Sequence, residues 1–468
     1  MELQRKKTLV LGAGKSGVAA AKFLAIRGAI VAIHDKKPIA EWTEEARSLK
    51  EKFGVGLIDG QIPSWLLDQI DLVVISPGVP TNTIPARYVD RKGGEVIGEV
   101  ELAFRFLKGK VIAITGTNGK TTTTTLIGEL LKNAGKKVQV AGNIGLPLTE
   151  VVETSTEDTW NVIEVSSFQL ETIKLFHPKV AVALNVTPNH LDRYDFFSDY
   201  AAAKHRIFMN QTPEDFAVLN ADNEVTVSWA KGLRAKTIFF SVRKELDEGF
   251  FLKGEQLFFR SGNVEEFLIN RSEILLRGLH NVENVLASIA AVWYCEGISL
   301  DVIRQTLRTF KGVEHRLELV DEIQGVKFYN DSKATSVDAT LKAIEALSDD
   351  TGKIVLIMGG RGKNAPYTPL APLIEKKGRS LVLIGEDADR IESDLKGICD
   401  ISRANSMKEA VEIAFQKAQK EDIVLLSPAC ASFDMFSSFE ERGKVFKQEV
   451  LELKKFYQSK LHQQSQNL

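Results

Sequence analysis

A short apolar run at residues 111–115 passes directly into Gly116-Thr117-Asn118-Gly119-Lys120-Thr121 and then into a helical stretch at 122–134. Strand, glycine turn, lysine, hydroxyl and helix in that order leave few folds open. The loop amides can cradle phosphate oxygens, Lys120 adds a point charge for β/γ phosphates, and the Thr121 hydroxyl can ligate Mg²⁺. A turn with a surface lysine has no use for that order. The loop is shorter than the general P-loop, because Ile114 stands where that pattern has its first glycine.

A second glycine cluster, Gly12-Ala13-Gly14-Lys15-Ser16-Gly17, follows the run at 8–12, and Asp35 ends the next strand. Taken alone it matches the G-x-G-x-x-G dinucleotide fingerprint with its acidic partner and points to NAD. Its physical content is broader. Glycines let amides at a helix N-terminus approach a diphosphate, and any nucleotide diphosphate satisfies that.

The rest of the chain repeats the βαβ rhythm of parallel sheets. Apolar runs at 8–12, 30–34 and 72–76 flank an amphipathic stretch at 18–27, and a second series contains 111–115, 161–165, 180–185 and 216–220. Their polar ends are where α/β ligand sites form. Residues 236–276 break into short β-like pieces with Gly249, Gly254 and Gly262, which predicts an antiparallel excursion before a helix containing 281–293. A third series starts near Gly312, with strands at 326–329, 354–358, 381–384 and 423–426 and a helix at 407–420. Three α/β units in a row agree with 468 residues, more than one core usually supports. The glutamine-rich tail, 459–468, is expected to fray.

Sixty basic against 62 acidic residues leave a net charge of −2, so no global field holds nucleic acid or an anionic membrane. Cys295, Cys399 and Cys430 are odd in number and lack metal-ligand spacing, which fits a reducing cytoplasm. The charged start, residues 1–7, runs straight into a strand instead of a signal-peptide apolar region, and no apolar run approaches the ~20 residues of a membrane span.

Thr115 to Thr122 resembles the ATP loop of the Mur ligase family, which also includes folylpolyglutamate synthetases. Further matches are Gly142-Asn143-Ile144-Gly145, the segment from Glu164 to Leu170, and Asn185-Val186-Thr187-Pro188-Asn189-His190-Leu191-Asp192. They continue through Lys204, His280-Asn281, His315-Arg316 and Asn330-Asp331-Ser332-Lys333-Ala334-Thr335. Gly359-Gly360-Arg361-Gly362-Lys363 and the segment from Leu426 to Phe436 resemble members that add D-glutamate to UDP-N-acetylmuramoyl-L-alanine. The resemblance covers nearly the whole chain.

It implies an α/β fold of three consecutive domains: a Rossmann-like UDP-binding N-terminal domain at 1–98, a P-loop mononucleotide-binding central ATPase domain at 99–312, and a Rossmann-like C-terminal amino-acid-binding domain at 313–468. The first glycine motif then holds UDP, not NAD, near Lys15, Ser16, Asp35, Lys36 and Gly78, with Asn143 and His190 near the reacting carboxylate. ATP is expected at Thr115, Gly116, Thr117, Asn118, Gly119, Lys120 and Thr121, together with Asn281, Arg316, Asp331 and Lys333.

Two Mg²⁺ ions are implied, with Thr121, Glu164, His190 and a carbamylated Lys204 as ligands; Lys120, Glu164, His190 and Lys204 form the implied catalytic set. D-glutamate is expected at Thr335, Lys363, Ser432, Phe433 and Phe439. Arg361 stands where many relatives carry an acidic residue, and Phe433 replaces a commoner leucine, so substrate choice is less constrained than reaction type.

The expected reaction is ligation through an acyl phosphate by a cytoplasmic monomer in peptidoglycan precursor synthesis. Alternatives are a family member with another amino acid or a pteridine substrate, a nucleotide-dependent oxidoreductase, and an ATP-binding regulator without catalysis. Neither of the last two needs Lys120, Glu164, His190 and Lys204 together.

Overall fold

The computed structural model describes residues 1–188, 193–295, 297–347, 352–362 and 365–466. They form two compact units, Met1–Ile274 with His280–Arg308, and Leu275–Leu279 with Thr309–Leu468.

The first unit contains two sheets. Five parallel strands lie in the order Gly56–Asp59, Ile30–Asp35, Lys7–Leu11, Leu72–Ile75 and Glu95–Gly98. The order reverses between Lys7–Leu11 and Leu72–Ile75, and the crevice beyond those strand ends is the usual ligand position of an open α/β sheet. The helix Lys15–Ile26 starts there. Gly17 is required by packing, since a Cβ on it would lie 1.8 Å from the Gly12 carbonyl oxygen.

The second sheet has nine strands. Within it Lys110–Thr115 lies between Trp160–Glu164 and Val180–Ala183, all parallel. Phe216–Asn220 and Lys236–Ser241 extend it in parallel, so the antiparallel excursion is confined to Gly249–Lys253, Gln256–Ser261 and Val264–Asn270. The two sheets share one apolar core: Leu24, Val100 and Ala103 pack in the same cluster as Ile163, Leu170 and Ala181.

In the second unit six strands follow the order Glu318–Ile323, Val326–Asn330, Ile423–Leu426, Ile354–Gly359, Gly378–Ile384 and Asp400–Arg403. Only Glu318–Ile323 is antiparallel to its neighbour. Alternation assigns each residue a face. Leu356, Met358, Leu381 and Leu383 enter one apolar cluster, while Val355, Ile357, Val382 and Ile384 enter the other. The tail, expected to fray, is helical as far as Gln466: one helix runs Phe439–Gln466, and no proline or glycine follows Gly443 to interrupt it. Among the described residues no helix is long and apolar enough to cross a membrane.

Candidate active site

The Gly116–Thr121 loop sits at the carboxyl end of Lys110–Thr115 and feeds the helix Lys120–Asn133. Gly119 takes φ +84° at the helix start, and a Cβ there would lie 2.2 Å from Asn284 Oδ1. The loop is fixed from the neighbouring strand end: Thr117 N donates to Asn185 O at 2.8 Å, and Asn118 N to Asn185 Oδ1 at 2.9 Å. The Thr115 hydroxyl is buried and has no hydrogen-bond partner among the described residues.

Behind the loop lies a buried carboxylate. Glu164 ends Trp160–Glu164 and is 2% exposed. Its Oε2 accepts from the Thr121 hydroxyl at 2.9 Å and its Oε1 from Asn143 Nδ2 at 2.8 Å. Three predicted residues from separate segments therefore meet at one group, offering hard oxygen donors beside a phosphate loop.

Lys204 also arrives here. The helix Phe197–His205 buries Tyr200 and Lys204, which share a face at i,i+4. Lys204 Nζ donates to Gly116 O at 2.8 Å, and Lys120 Nζ donates to the same oxygen at 2.9 Å. Burial first, then the charge of Lys120, push the Lys204 amine down to about 6, against the opposing pull of Glu164. At neutral pH it is a neutral, nucleophilic amine. A lysine on a short polar helix reads as solvated in the sequence; the structure reverses that.

On the first sheet, Asp35 supports the glycine loop itself, accepting from Ala13 N at 2.8 Å and Lys37 N at 3.1 Å. Those backbone donors outweigh partial burial and hold its carboxyl below the usual range. Lys15 Nζ reaches the Gly145 carbonyl at 2.6 Å, so the first glycine motif touches the segment that carries Asn143. Ser16 lies in the first turn of the same helix, whose N-cap Gly14 faces open space, and Lys36 follows Asp35 directly. Gly78 lies beyond the end of Leu72–Ile75, across the crevice.

In the second unit the loops after Val326–Asn330, Ile354–Gly359 and Ile423–Leu426 converge on Arg442, which is 1% exposed. Its guanidinium donates to Ser332 Oγ at 3.0 Å, Ser332 O at 2.9 Å and Cys430 O at 3.1 Å. Burial lowers it to about 10, still charged at neutral pH. The Ser332 hydroxyl donates to Phe439 O at 2.8 Å, which places the Asp331–Thr335 segment beside Phe439; Lys333 Nζ lies 5.9 Å from the Phe439 ring.

Arg361 and Ala431 exchange backbone hydrogen bonds at 2.9 and 3.0 Å, bringing the residues before Lys363 alongside buried Ser432. The Arg361 side chain turns to Glu386 in a bidentate pair at 3.0 and 2.9 Å. Phe433, next to Ser432, is exposed.

Asp331 is nearly enclosed. Ser427 Oγ donates to it at 2.9 Å and Leu317 N at 3.2 Å, but burial prevails and pushes its carboxyl up to about 7; Arg316 stands near enough to oppose this. Glu314, His315 and Glu318 also lie together, yet Lys447 pairs with both glutamates and Asn330 Nδ2 meets His315 Nδ1 at 2.8 Å, so they form an ion-pair network.

His190 and Lys363 lie outside the described residues. Asn281 is buried on the helix Leu279–Trp293, where its Oδ1 accepts from Asn284 Nδ2 at 3.1 Å. The spacing Asn281-x-x-Asn284 on a helix puts both amides on one face, and the Thr123 hydroxyl of the phosphate-loop helix donates to Asn284 Oδ1 at 3.4 Å, a contact the sequence reading did not include. Nothing local in the sequence marks Arg442, which is buried, or Arg193, which is half-buried.

Comparison with known proteins places three family models end to end. These are the Mur ligase MurD-like N-terminal domain over residues 6–98, the Mur ligase middle domain over 114–292, and the Mur ligase glutamate ligase domain over 315–430. The UDP-N-acetylmuramoylalanine–D-glutamate ligase of Koribacter versatilis is 46% identical over 454 residues, 96% of this chain and 98% of its own. That of Solibacter usitatus is 48% identical over 450 residues, with 96% and 98% covered. Among solved structures, UDP-N-acetylmuramate–alanine ligase MurC from Thermotoga maritima superposes with TM-score 0.59 at 19% identity, over 96% of this chain and 100% of that one, which shows a shared fold.

Proposed function

The chain belongs to the Mur ligase family, and from that premise we propose that it joins D-glutamate to UDP-N-acetylmuramoyl-L-alanine at the expense of ATP, in peptidoglycan precursor synthesis. The observation that carries the chemistry is the meeting of Lys120 and Lys204 on the Gly116 carbonyl beside the Glu164 carboxylate, which takes Thr121 and Asn143 as partners. Neither an oxidoreductase nor a bare nucleotide sensor needs that convergence.

A carboxylate is a poor electrophile, so the alanyl carboxylate is first phosphorylated. Its oxygen forms a bond to the γ-phosphorus of ATP, the bridging P–O bond breaks, and ADP leaves. The amine of D-glutamate then attacks the carbonyl carbon; the C–N bond forms, phosphate departs with the former carboxylate oxygen, and the nitrogen loses a proton. Lys120, with the loop amides between Gly116 and Thr121 that Asn185 does not engage, is assigned to hold the phosphates and neutralise charge on the transferring group. Asn143 orients the acceptor carboxylate together with His190.

The buried hydroxyl and carboxylate of Thr121 and Glu164 fit a hard divalent cation such as Mg²⁺, which when bound neutralises phosphate charge. The second such ion is assigned to His190 and Lys204. A neutral Lys204 amine can add CO₂ with loss of a proton, turning a donor into an anionic oxygen ligand.

Residues 1–98 are assigned to the UDP part of the substrate through Lys15, Ser16, Asp35, Lys36 and Gly78; residues 99–312 to ATP; and residues 313–468 to the amino acid. Lys363 and Ser432 would pair with the two carboxylates of D-glutamate, supported by Thr335, Phe433 and Phe439. Asn281, Arg316, Asp331 and Lys333 are assigned to ATP as well. We place the enzyme in the cytoplasm as a monomer.

Phosphate release from ATP and UDP-N-acetylmuramoyl-L-alanine, measured while the amino acid is varied, tests the reading. D-glutamate should support release. Release with meso-diaminopimelate or L-lysine but not D-glutamate would overturn the substrate assignment.

A further inference from the structure

Arg193 has no part in the roles assigned above, yet it is deeply engaged. Its guanidinium donates to the carbonyls of Pro77 at 2.7 Å and Val79 at 3.3 Å, the two residues that flank Gly78. It also stacks 3.9 Å from the centroid of the Phe168 ring and pairs with Glu171 at 3.5 Å. Glu171 in turn accepts from the Tyr194 hydroxyl at 2.5 Å and from Thr81 Oγ1 at 3.4 Å.

These contacts continue towards the phosphate loop. The Tyr194 ring packs edge-on against Tyr200 with centroids 5.4 Å apart, and the Tyr200 hydroxyl shares a hydrogen bond with Thr117 Oγ1 at 3.2 Å. Lys204 Nζ lies 4.6 Å from the centroid of the same tyrosine ring. A planar guanidinium can donate to two carbonyls and stack on an aromatic face together; an ammonium cannot. With 17% of its side chain exposed, Arg193 makes its carbonyl contacts largely shielded from water, where they are stronger.

We propose that Arg193 is a positioning residue that ties the loop carrying Gly78 to the phosphate loop through Tyr194 and Tyr200, so that occupancy of the UDP site and of the ATP site favour one arrangement of this clasp. The inference rests on reading Gly78 as a contact to the UDP moiety. Such coupling is reciprocal, each ligand tightening the other by the same factor.

The test compares the full-length wild type with R193M, which keeps an apolar stem over Phe168 but loses every donor, and R193K, which keeps the charge and a point donor but loses the planar fork. D-glutamate-dependent phosphate release by the wild type is measured first; its absence would defeat the ligase reading itself. Calorimetric titration with a non-hydrolysable ATP analogue, with and without UDP-N-acetylmuramoyl-L-alanine, then reads the coupling. The substrate should tighten analogue binding about tenfold in the wild type. In R193M that ratio should fall to about one, with affinity for the analogue alone unchanged, and R193K should recover part of it.

An active wild type without coupling, or R193M with full coupling, would overturn the inference. Equal weakening of the analogue with and without substrate, alongside a lowered Tm, would also overturn it, because that is what a merely structural role produces.

Discussion

Lys120 and Lys204 donate to the same oxygen, the Gly116 carbonyl, at 2.9 and 2.8 Å. Burial first, and then the charge of the neighbouring Lys120, push Lys204 from 10.5 down to about 6. Between about pH 6 and 10.5 the unfolded chain therefore binds a proton that the folded protein does not, so this group makes ligand-free stability rise with pH across that window. Urea denaturation near neutral and near alkaline pH should show the rise in the wild type and its loss in Lys204→Met. An unchanged slope in the variant would contradict the assignment. With ¹³C-bicarbonate, the wild type should also give a carbamate NMR signal that the variant lacks.

Glu164→Gln retains the size of the side chain and can still accept from Asn143 while donating to the Thr121 hydroxyl, but it removes the charge. We expect kcat to fall by about 10³, the scale seen when a group stabilising transition-state charge is lost. The Tm should change little, and the KM for D-glutamate should be unaffected. A kcat within tenfold of wild type would argue against a role for this carboxylate in phosphoryl transfer.

Gly119→Ala meets two obstacles, a left-handed backbone at φ +84° and a Cβ 2.2 Å from Asn284 Oδ1. The expected cost is about 2–3 kcal/mol, measured by urea unfolding, together with weakened binding of ATP. Wild-type stability in this variant would mean that the loop and Asn284 readjust freely.

Asp331 titrates in the opposite sense to Lys204. Its carboxyl is raised from 3.8 to about 7, so the folded protein holds an additional proton between those values, and stability contributed by this group declines as pH rises through the window. Asp331→Asn removes this falling contribution, so the slope of ligand-free stability against pH should become more positive between about pH 4.5 and 7, read by denaturation across that window; an unchanged slope would contradict the assignment.

Both glycine loops were legible in the sequence because their meaning is local: strand, turn and helix occur in order, and the structure has them at Gly12–Gly17 and Gly116–Thr121. The end of Trp160–Glu164 was legible too, since a glutamate closing an apolar strand is conspicuous. Less was visible where residues distant in sequence converge. Arg442 is buried only because three strand ends meet around it, and Lys204 only because Tyr200 turns the same helix face inward. The short strands Gly56–Asp59, Glu95–Gly98 and Asp400–Arg403 escaped notice because each lies at a sheet edge, where one side needs no apolar partner and the hydrophobic run is brief.

Ligation through an acyl phosphate is tested most directly by the fate of one oxygen. With UDP-N-acetylmuramoyl-L-alanine labelled with ¹⁸O in its alanyl carboxylate, ATP and D-glutamate, the released phosphate should carry one ¹⁸O per turnover, and no labelled phosphate should accumulate without the amino acid. Mass spectrometry of that phosphate decides the matter. Phosphate free of ¹⁸O would contradict phosphorylation of the carboxylate around Gly116 to Thr121.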